Sequence, residues 1–282
     1  MADVFLGLGS NLGDRAGHLK AAISELESIE GIETRGLSPI FRATPVGEVE
    51  QGDFLNMVAR IETAIEPEPL LERCLDIERS RGRERTLRWG PRTLDIDLLL
   101  YGDERVSDPR LKVPHPEMWQ RAFVLAPLLE LAPEIKIGGR PVADCLSESD
   151  SSGVERLLPF EECQAVAIVG ASSNPERYAH RAQAMLEECG HSVIPVNPST
   201  PTVRGVPVFP VIGQVNGALD TVTLYVGPTR QASIVEDLVE ARPRRVIFNP
   251  GTESADSQGK LRDAGIQTLE ACTLVLLQTG RF

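Results

Sequence analysis

The chain has 282 residues, enough for about two domains that each bury a core, with an ordinary apolar content of 41%. Its formal net charge is -12, with 19 basic and 28 acidic residues up to Phe160 and 10 and 13 beyond it, so neither half has the charge of a nucleic-acid binder. No apolar run approaches a membrane span, the N-terminus lacks a secretory pattern, and Cys74, Cys145, Cys163, Cys189 and Cys272 lie far apart without C-x-x-C spacing; a cytoplasmic protein with reduced thiols and no membrane partner is expected.

Val4 to Leu8 predicts a short strand that ends in Gly9-Ser10-Asn11-Leu12-Gly13-Asp14, and Leu19, Ala22, Ile23, Leu26 and Ile29 then recur at helical spacing. Such a strand-glycine-helix turn either cradles an anion or is only a tight turn, and the residues alone leave both open. The turn-rich Arg42-Ala43-Thr44-Pro45-Val46-Gly47 precedes an acidic loop, Glu48 to Asp53, suited to be a lid. Phe54 to Ala59 resumes as a strand with Phe54 and Asn56 on one face. A ring beside an amide suits a flat heterocycle, and it equally suits an edge strand with a half-buried Phe. Glu66 to Arg79 predicts an amphipathic helix, with Pro67 and Pro69 in its first turn and Leu70, Leu71, Cys74, Leu75 and Ile77 on the buried stripe.

That helix delivers a basic island in an acidic chain. Arg79, Arg81, Arg83, Arg85, Arg88 and Arg92 stand against one acid, Glu84, and Trp89, Gly90 and Pro91 separate them from Leu94-Asp95-Ile96-Asp97-Leu98-Leu99-Leu100. The last run predicts a strand. Alternation puts Asp95 and Asp97 on one face, with Cα atoms roughly 6.5 to 7 Å apart. Two such carboxylates suit Mg²⁺, which commonly takes one or two carboxylates plus substrate phosphates, and arginine forks suit phosphate oxygens. The competing reading is a solvated face with surface ion pairs. Further on, Gly102-Asp103 predicts a hairpin turn, and Leu111 to Pro116 runs through His115 into a short helix with Arg121, Phe123 and an apolar tail from Val124 to Leu131.

Four separated motifs, L-G-S-N-L-G-D, F-L-N, R-W-G-P-R-T-L-D-I-D-L-L-L and V-P-H-P-E-M-W-Q-R-A-F-V-L, together resemble the bacterial 6-hydroxymethyl-7,8-dihydropterin pyrophosphokinases of folate synthesis over about residues 2 to 158. The resemblance implies a ferredoxin-like α+β domain that transfers a pyrophosphoryl group from ATP, as co-substrate, to the dihydropterin and leaves AMP. It implies Asp95 and Asp97 as ligands of two Mg²⁺. Arg83, Arg85, Arg88, Trp89, Arg92, His115 and Arg121 are then the ATP-binding set, with Arg83, Arg85 and Arg92 also catalytic. Gly9, Thr44, Pro45, Val46, Phe54, Asn56, Asp95 and Phe123 are the pterin-binding set. A rival of another class is a nucleotide-binding regulator that keeps the site and has lost the chemistry.

Asp144 to Glu155 is rich in serine and acid and is expected to be a linker. Beyond it, Ala165 to Val169 is an apolar run of the kind buried in parallel sheets, and strand and helix patterns alternate to the end, which predicts a doubly wound, Rossmann-like sheet. The Gly170 turn is expected to present backbone N–H groups at a helix N-terminus, a phosphate seat. Gly170-Ala171-Ser172-Ser173-Asn174-Pro175-Glu176-Arg177, Pro195-Val196-Asn197-Pro198 and Phe248-Asn249-Pro250-Gly251 are similar to small CoA-binding Rossmann domains over about residues 164 to 278. The resemblance implies CoA as a ligand near Gly170, Ala171, Ser172, Ser173, Asn174, Arg177, Asn197, Pro198, Asn249 and Gly251. An NAD(P)-binding or purely structural module stays open beside it. The expected division is 1–158 for the pyrophosphokinase domain and 159–282 for the CoA-binding-type domain, with small-molecule partners only.

Overall fold

The computed structural model describes residues 1–45, 49–83 and 90–282, and the chain divides into two units, Met1–Glu162 and Cys163–Phe282. The first unit runs β1 (Ala2–Ser10), α1 (Arg15–Glu27), β2 (Ile32–Leu37), β3 (Phe41–Ala43), β4 (Phe54–Thr63), α2 (Pro67–Ser80), β5 (Asp95–Tyr101), α3 (Ala122–Leu131), α4 (Val142–Glu148) and β6 (Val154–Arg156), with two-residue ladders between some of them. This is a ferredoxin-like α+β unit. Its sheet has the order β6-β3-β4-β1-β5 with β2 also on β4, and every pairing is antiparallel.

Alternation along β1 explains where the site lies. Phe5, Gly7 and Gly9 share one face, and their partners on β5 are Leu100, Asp97 and Asp95. At Phe5 that face is filled: Phe5, Val58, Leu99 and Leu100 form one core with Val124, Leu125 and Leu128 of α3 and Val142 and Cys145 of α4. At Gly9 the same face carries no side chain from β1 beside Asp95, whereas at Gly7 the Leu99 side chain takes the space, 3.3 Å from where a Cβ would lie. Leu99 lies where the register between β1 and β5 shifts, at a bulge.

The second unit contains β7 (Ala165–Val169), α5 (Tyr178–Glu188), β8 (Ser192–Val196), β9 (Thr221–Leu224), α6 (Ala232–Ala241), β10 (Arg245–Phe248), α7 (Ala255–Asp263), β11 (Gln267–Glu270) and α8 (Thr273–Gln278). The five strands are parallel in the order β8-β7-β9-β10-β11. All of β7 is buried, as its unbroken apolar sequence requires of a central strand. The order reverses at β7, so the crevice between the ends of β7 and β9 is the topological switch point of a Rossmann-like sheet. No helix among the described residues is long and apolar enough to cross a membrane.

Three local expectations are corrected. Asp144 to Glu155 is no linker: Val142 and Cys145 anchor α4 at 0% and 2% exposure, and β6 pairs residue for residue with β3. Leu157 N–H donates to Ile40 O and Ile40 N–H to Leu158 O, both at 2.9 Å, which ties the chain to the first unit beyond the serine-rich stretch. Gly102 and Asp103 do turn, but they do not fold the next strand back onto β5; Val106–Ser107 pairs with Lys112–Val113 instead. In the second unit α5 begins only at Tyr178, so the Gly170 turn is not the start of a helix.

Candidate active site

Gly9 is the centre of the first site because its two neighbours across the sheet are Asp95 on β5 and Asn56 on β4. A Cβ on Gly9 would sit 3.0 Å from Asn56 Oδ1, so any larger residue there makes that amide give way. Asn56 is 7% exposed and its Nδ2 has no hydrogen-bond partner among the described residues, a buried donor of the kind that a polar heterocycle satisfies. Phe54 lies two residues back along the same strand face, with the Arg92 guanidinium carbon 5.6 Å from its ring centre. Phe123, near the start of α3, carries Arg121 in the same way at 5.8 Å. Thr44 and Pro45 follow β3, and Thr44 N–H donates to Gly153 O at 3.1 Å.

The aspartates differ. Asp95 is held by two guanidinium groups, with Arg83 Nη1 2.5 Å from Oδ1 and Arg92 Nη1 2.6 Å from Oδ2. Asp97 has Arg121 at 3.9 Å and no closer cation among the described residues, and Arg121 also pairs with Glu117. Loss of hydration first, and the Asp95 charge second, push the Asp97 carboxyl up to about 7, with Arg121 pulling the other way. Its side chain keeps 37% of its surface, so water screens part of that penalty. His115 is brought to the same edge by its N–H, which donates to Leu99 O at 2.9 Å. Burial and then the Arg121 charge lower its pKa, which favours the neutral imidazole. Arg85, Arg88 and Trp89, together with Val46, lie outside the described residues, as do Gly47 and Glu48 of the expected lid.

Two residues of this site had no signal in the sequence reading. Asn11 donates to Gln51 Oε1 and Gly52 O at 2.9 and 3.2 Å and accepts from Arg92 N–H at 2.7 Å, so one amide ties the glycine turn, the acidic loop and the arginine segment together. Its place in the G-S-N-L-G turn was visible, but its long-range partners were not. Glu78 is 2% exposed, accepts from Ile96 N–H at 2.8 Å and pairs with Arg83. In the sequence it is one more charge near the end of an amphipathic helix.

The donor chemistry suits a hard cation. Asp95 and Asp97 offer carboxylate oxygens on one strand face, and among the described residues no cluster of three or more His, Cys, Asp or Glu competes as a metal site. Two carboxylates with phosphates completing the shell is how Mg²⁺ is commonly bound.

In the second unit Gly170 has φ +91°, and a Cβ there would lie 2.9 Å from Val226 Cγ2 and 3.1 Å from the Tyr225 backbone. Glycine is required on both counts, and it brings the loops after β7 and β9 into contact at the switch point. Gly170 and Ala171 N–H both donate to Val196 O, at 2.9 and 3.2 Å, which corrects the expectation that they face an anion. Asn197 donates to Ala171 O at 2.6 Å and braces the same loop. Ser173, Asn174 and Arg177 are exposed beside it, with Ser172 half-buried and Pro198 exposed on the facing loop. Gly251 has φ +87° and its N–H donates to Glu253 Oε2 at 2.7 Å. The Asn249 amide is used inside the unit: it donates to Thr223 Oγ1 and Leu224 O and accepts from Thr273 N–H at 2.7, 3.0 and 2.9 Å. Gln231, unremarked in the sequence, donates to Val226 O and Thr252 O at 2.9 and 2.6 Å and joins the loops after β9 and β10.

Comparison with known proteins agrees with both halves. The family described as 7,8-dihydro-6-hydroxymethylpterin-pyrophosphokinase matches residues 5–133. The protein of Methylorubrum extorquens named 2-amino-4-hydroxy-6-hydroxymethyldihydropteridine pyrophosphokinase is 46% identical over 157 residues, covering 56% of this chain and 99% of its own. The chain belongs to that pyrophosphokinase family. A protein of the same name from Pseudomonas aeruginosa is 42% identical over 155 residues, covering 55% of this chain and 96% of its own. The first unit is therefore a diphosphokinase of folate biosynthesis. The family described as CoA binding domain matches residues 164–278. A solved structure titled only as an uncharacterized protein is 38% identical and covers 43% of this chain and 98% of its own, with a TM-score of 0.41.

Proposed function

We propose that the pyrophosphokinase unit transfers the β,γ-pyrophosphoryl group of ATP to 6-hydroxymethyl-7,8-dihydropterin on the face of the sheet at Gly9. The pterin hydroxymethyl oxygen attacks the β-phosphorus, the bond from that phosphorus to the oxygen bridging to the α-phosphate breaks, and AMP leaves. The observation that carries this reading is the row Asp95–Gly9–Asn56 across three strands, which puts an acidic metal ligand beside a buried amide donor that has no partner among the described residues.

Asn56, Phe54 and Phe123 bind the pterin, the amide by hydrogen bonding and the rings by stacking. Gly9, Thr44, Pro45 and Val46 complete its surroundings. Arg83, Arg92, Arg121 and neutral His115 hold the phosphates, with Arg85, Arg88 and Trp89 supplied by the adjoining segment. Asp95 and Asp97 hold two Mg²⁺, which supply neutralisation of phosphate charge. Positioning and charge stabilisation dominate such a step. Asp97 takes up the proton of the attacking hydroxyl.

The test is product analysis with the full chain, ATP, Mg²⁺ and the dihydropterin. Stoichiometric AMP and dihydropterin diphosphate support the reading; ADP, or no turnover, sinks it and favours the regulator.

The second unit binds CoA at the switch point, with Ser172, Ser173, Asn174 and Arg177 facing its phosphates and Asn197 holding their loop in place. The match of the CoA binding domain over residues 164–278 supports this, as does the glycine-dependent contact of the β7 and β9 loops. Calorimetric titration of the full chain with CoA and with NAD⁺ tests it. Saturable CoA binding lost in Arg177→Ala is expected, whereas binding of NAD⁺ alone or of neither overturns it.

A further inference from the structure

Glu78 is the one Asp, Glu, Lys or Arg buried in the described chain, at 2% exposure, and it lies in the last turn of α2, where the helix dipole disfavours an anion. Burying a carboxylate there costs stability that a neutral side chain of similar volume avoids. Its contacts show what it holds. β5 is the edge of the sheet, so the N–H of Ile96, the residue between the two aspartates, has no further strand to bond, and Glu78 Oε1 accepts it at 2.8 Å. The same oxygen pairs with Arg83, whose side chain is 13% exposed and which also reaches Asp95 Oδ1 at 2.5 Å.

We propose that Glu78 is a positioning residue for the phosphoryl-transfer site, sharing Arg83 with Asp95 so that the guanidinium stays in the site while its hold on Asp95 is weakened and a divalent cation competes for that carboxylate more easily. The inference rests on the reading of Asp95 as a metal ligand. With the Glu78 charge removed, Asp95 is the carboxylate left in direct contact with Arg83 among the described residues, and Arg83 competes harder with the metal there. Glu78→Gln isolates this effect, because the amide oxygen still accepts from Ile96 N–H while the charge is gone.

The experiment measures Mn²⁺ binding by electron paramagnetic resonance on the full chain with a non-transferable ATP analogue, alongside thermal unfolding and steady-state kinetics. Glu78→Gln is expected to hold or raise the unfolding temperature, to weaken Mn²⁺ about tenfold, to raise the Mg²⁺ needed for half-maximal rate by a similar factor, and to leave the pterin KM within about twofold. In the Arg83→Met background the same substitution should change Mn²⁺ affinity little, since the competitor is gone. If Glu78→Gln does not fold, Glu78→Asp, which keeps the charge but withdraws it by one methylene, is read in the same assays with the same direction. Unchanged Mn²⁺ affinity, or an equal loss with and without Arg83, overturns the proposal. A wild-type chain that forms no AMP overturns it together with the pyrophosphokinase reading; an active wild type with an indifferent Glu78 overturns it alone.

Discussion

The two units place their polar groups differently. Around Gly9 the first unit sets charge against charge: Asp95 between Arg83 and Arg92, Asp97 within reach of Arg121, Glu78 buried against Arg83. Around Gly170 the second unit uses neutral amides and hydroxyls bonded to one another: Asn249 with Thr223 and Thr273, Gln231 with two loop carbonyls, Asn197 with Ala171 O. A charged site responds to pH, metal and single substitutions in its rate. A neutral, internally satisfied site responds first in its stability.

The largest effect expected is on rate. Asp97→Asn removes a metal-binding charge in a group that is hard to ionise, so kcat should fall on the order of 10³-fold, about 4 kcal/mol, while the unfolding temperature holds or rises. Product assays and calorimetry on the same preparation check it, and a near wild-type kcat would remove Asp97 from the mechanism. The counterpart is Asn249→Ala. It leaves Leu224 O and Thr273 N–H unpaired inside the fold, so the second unit should lose about 2 to 4 kcal/mol in denaturant unfolding. The transition of the first unit should not move, and AMP formation should persist in mild conditions. Equal loss in both transitions would mean that the units do not differ in the way described.

How much of this contrast was legible beforehand depends on the range of the interactions. β1, α2, β5 and the parallel strands of the second unit followed from periodicity, because burial of one face writes itself into neighbouring residues. The paired aspartates and the F-x-N face were equally local. The linker expected at Asp144 to Glu155 failed because composition does not record that Val142 and Cys145 reach a core or that Val154 has β3 to pair with. Glu78, Asn11 and Gln231 were invisible for the same reason, since each acts on backbone or side chains far along the sequence. The Gly170 loop shows the reverse error: its glycine was read as an anion seat, whereas positive φ and contact with Tyr225 and Val226 account for it.

pH gives a smaller and more specific test of the charged site. A proton and a divalent cation compete for Asp97, and its carboxyl is pushed up to about 7. The Mg²⁺ needed for half-maximal rate should therefore fall by about tenfold between roughly pH 6 and pH 8, and lose that dependence in Asp97→Asn. The sign for stability is opposite. The folded protein holds this proton more tightly than the unfolded chain, so the group's contribution is full below the ordinary carboxylate pKa and is lost as pH rises through about 7. CoA binding, if it is carried by Arg177 and neutral side chains, should change little over the same range. A parallel pH profile for both ligands would erase the distinction between the sites.

One substitution made in both units gives the finest comparison. Gly259 lies inside α7, and a Cβ there meets nothing within 4 Å, so Gly259→Ala should stabilise the second unit by about 0.5 to 1 kcal/mol through helix propensity and unfolded-state entropy. Gly9 is extended rather than left-handed, so backbone strain does not oppose alanine there either. What differs is the neighbour: the new Cβ would lie 3.0 Å from Asn56 Oδ1, and the amide must move by a few tenths of an ångström. Asn56 is buried and its Nδ2 has no partner among the described residues, so a shift of the amide changes the donor that the pterin is expected to use. Gly9→Ala should thus raise the pterin KM several-fold and leave the ATP KM near its wild-type value, because none of the described ATP-binding residues touches the added methyl. A rise in both constants would place Gly9 in the general packing of the sheet, and a rise in neither would mean that Asn56 is not what orients the pterin.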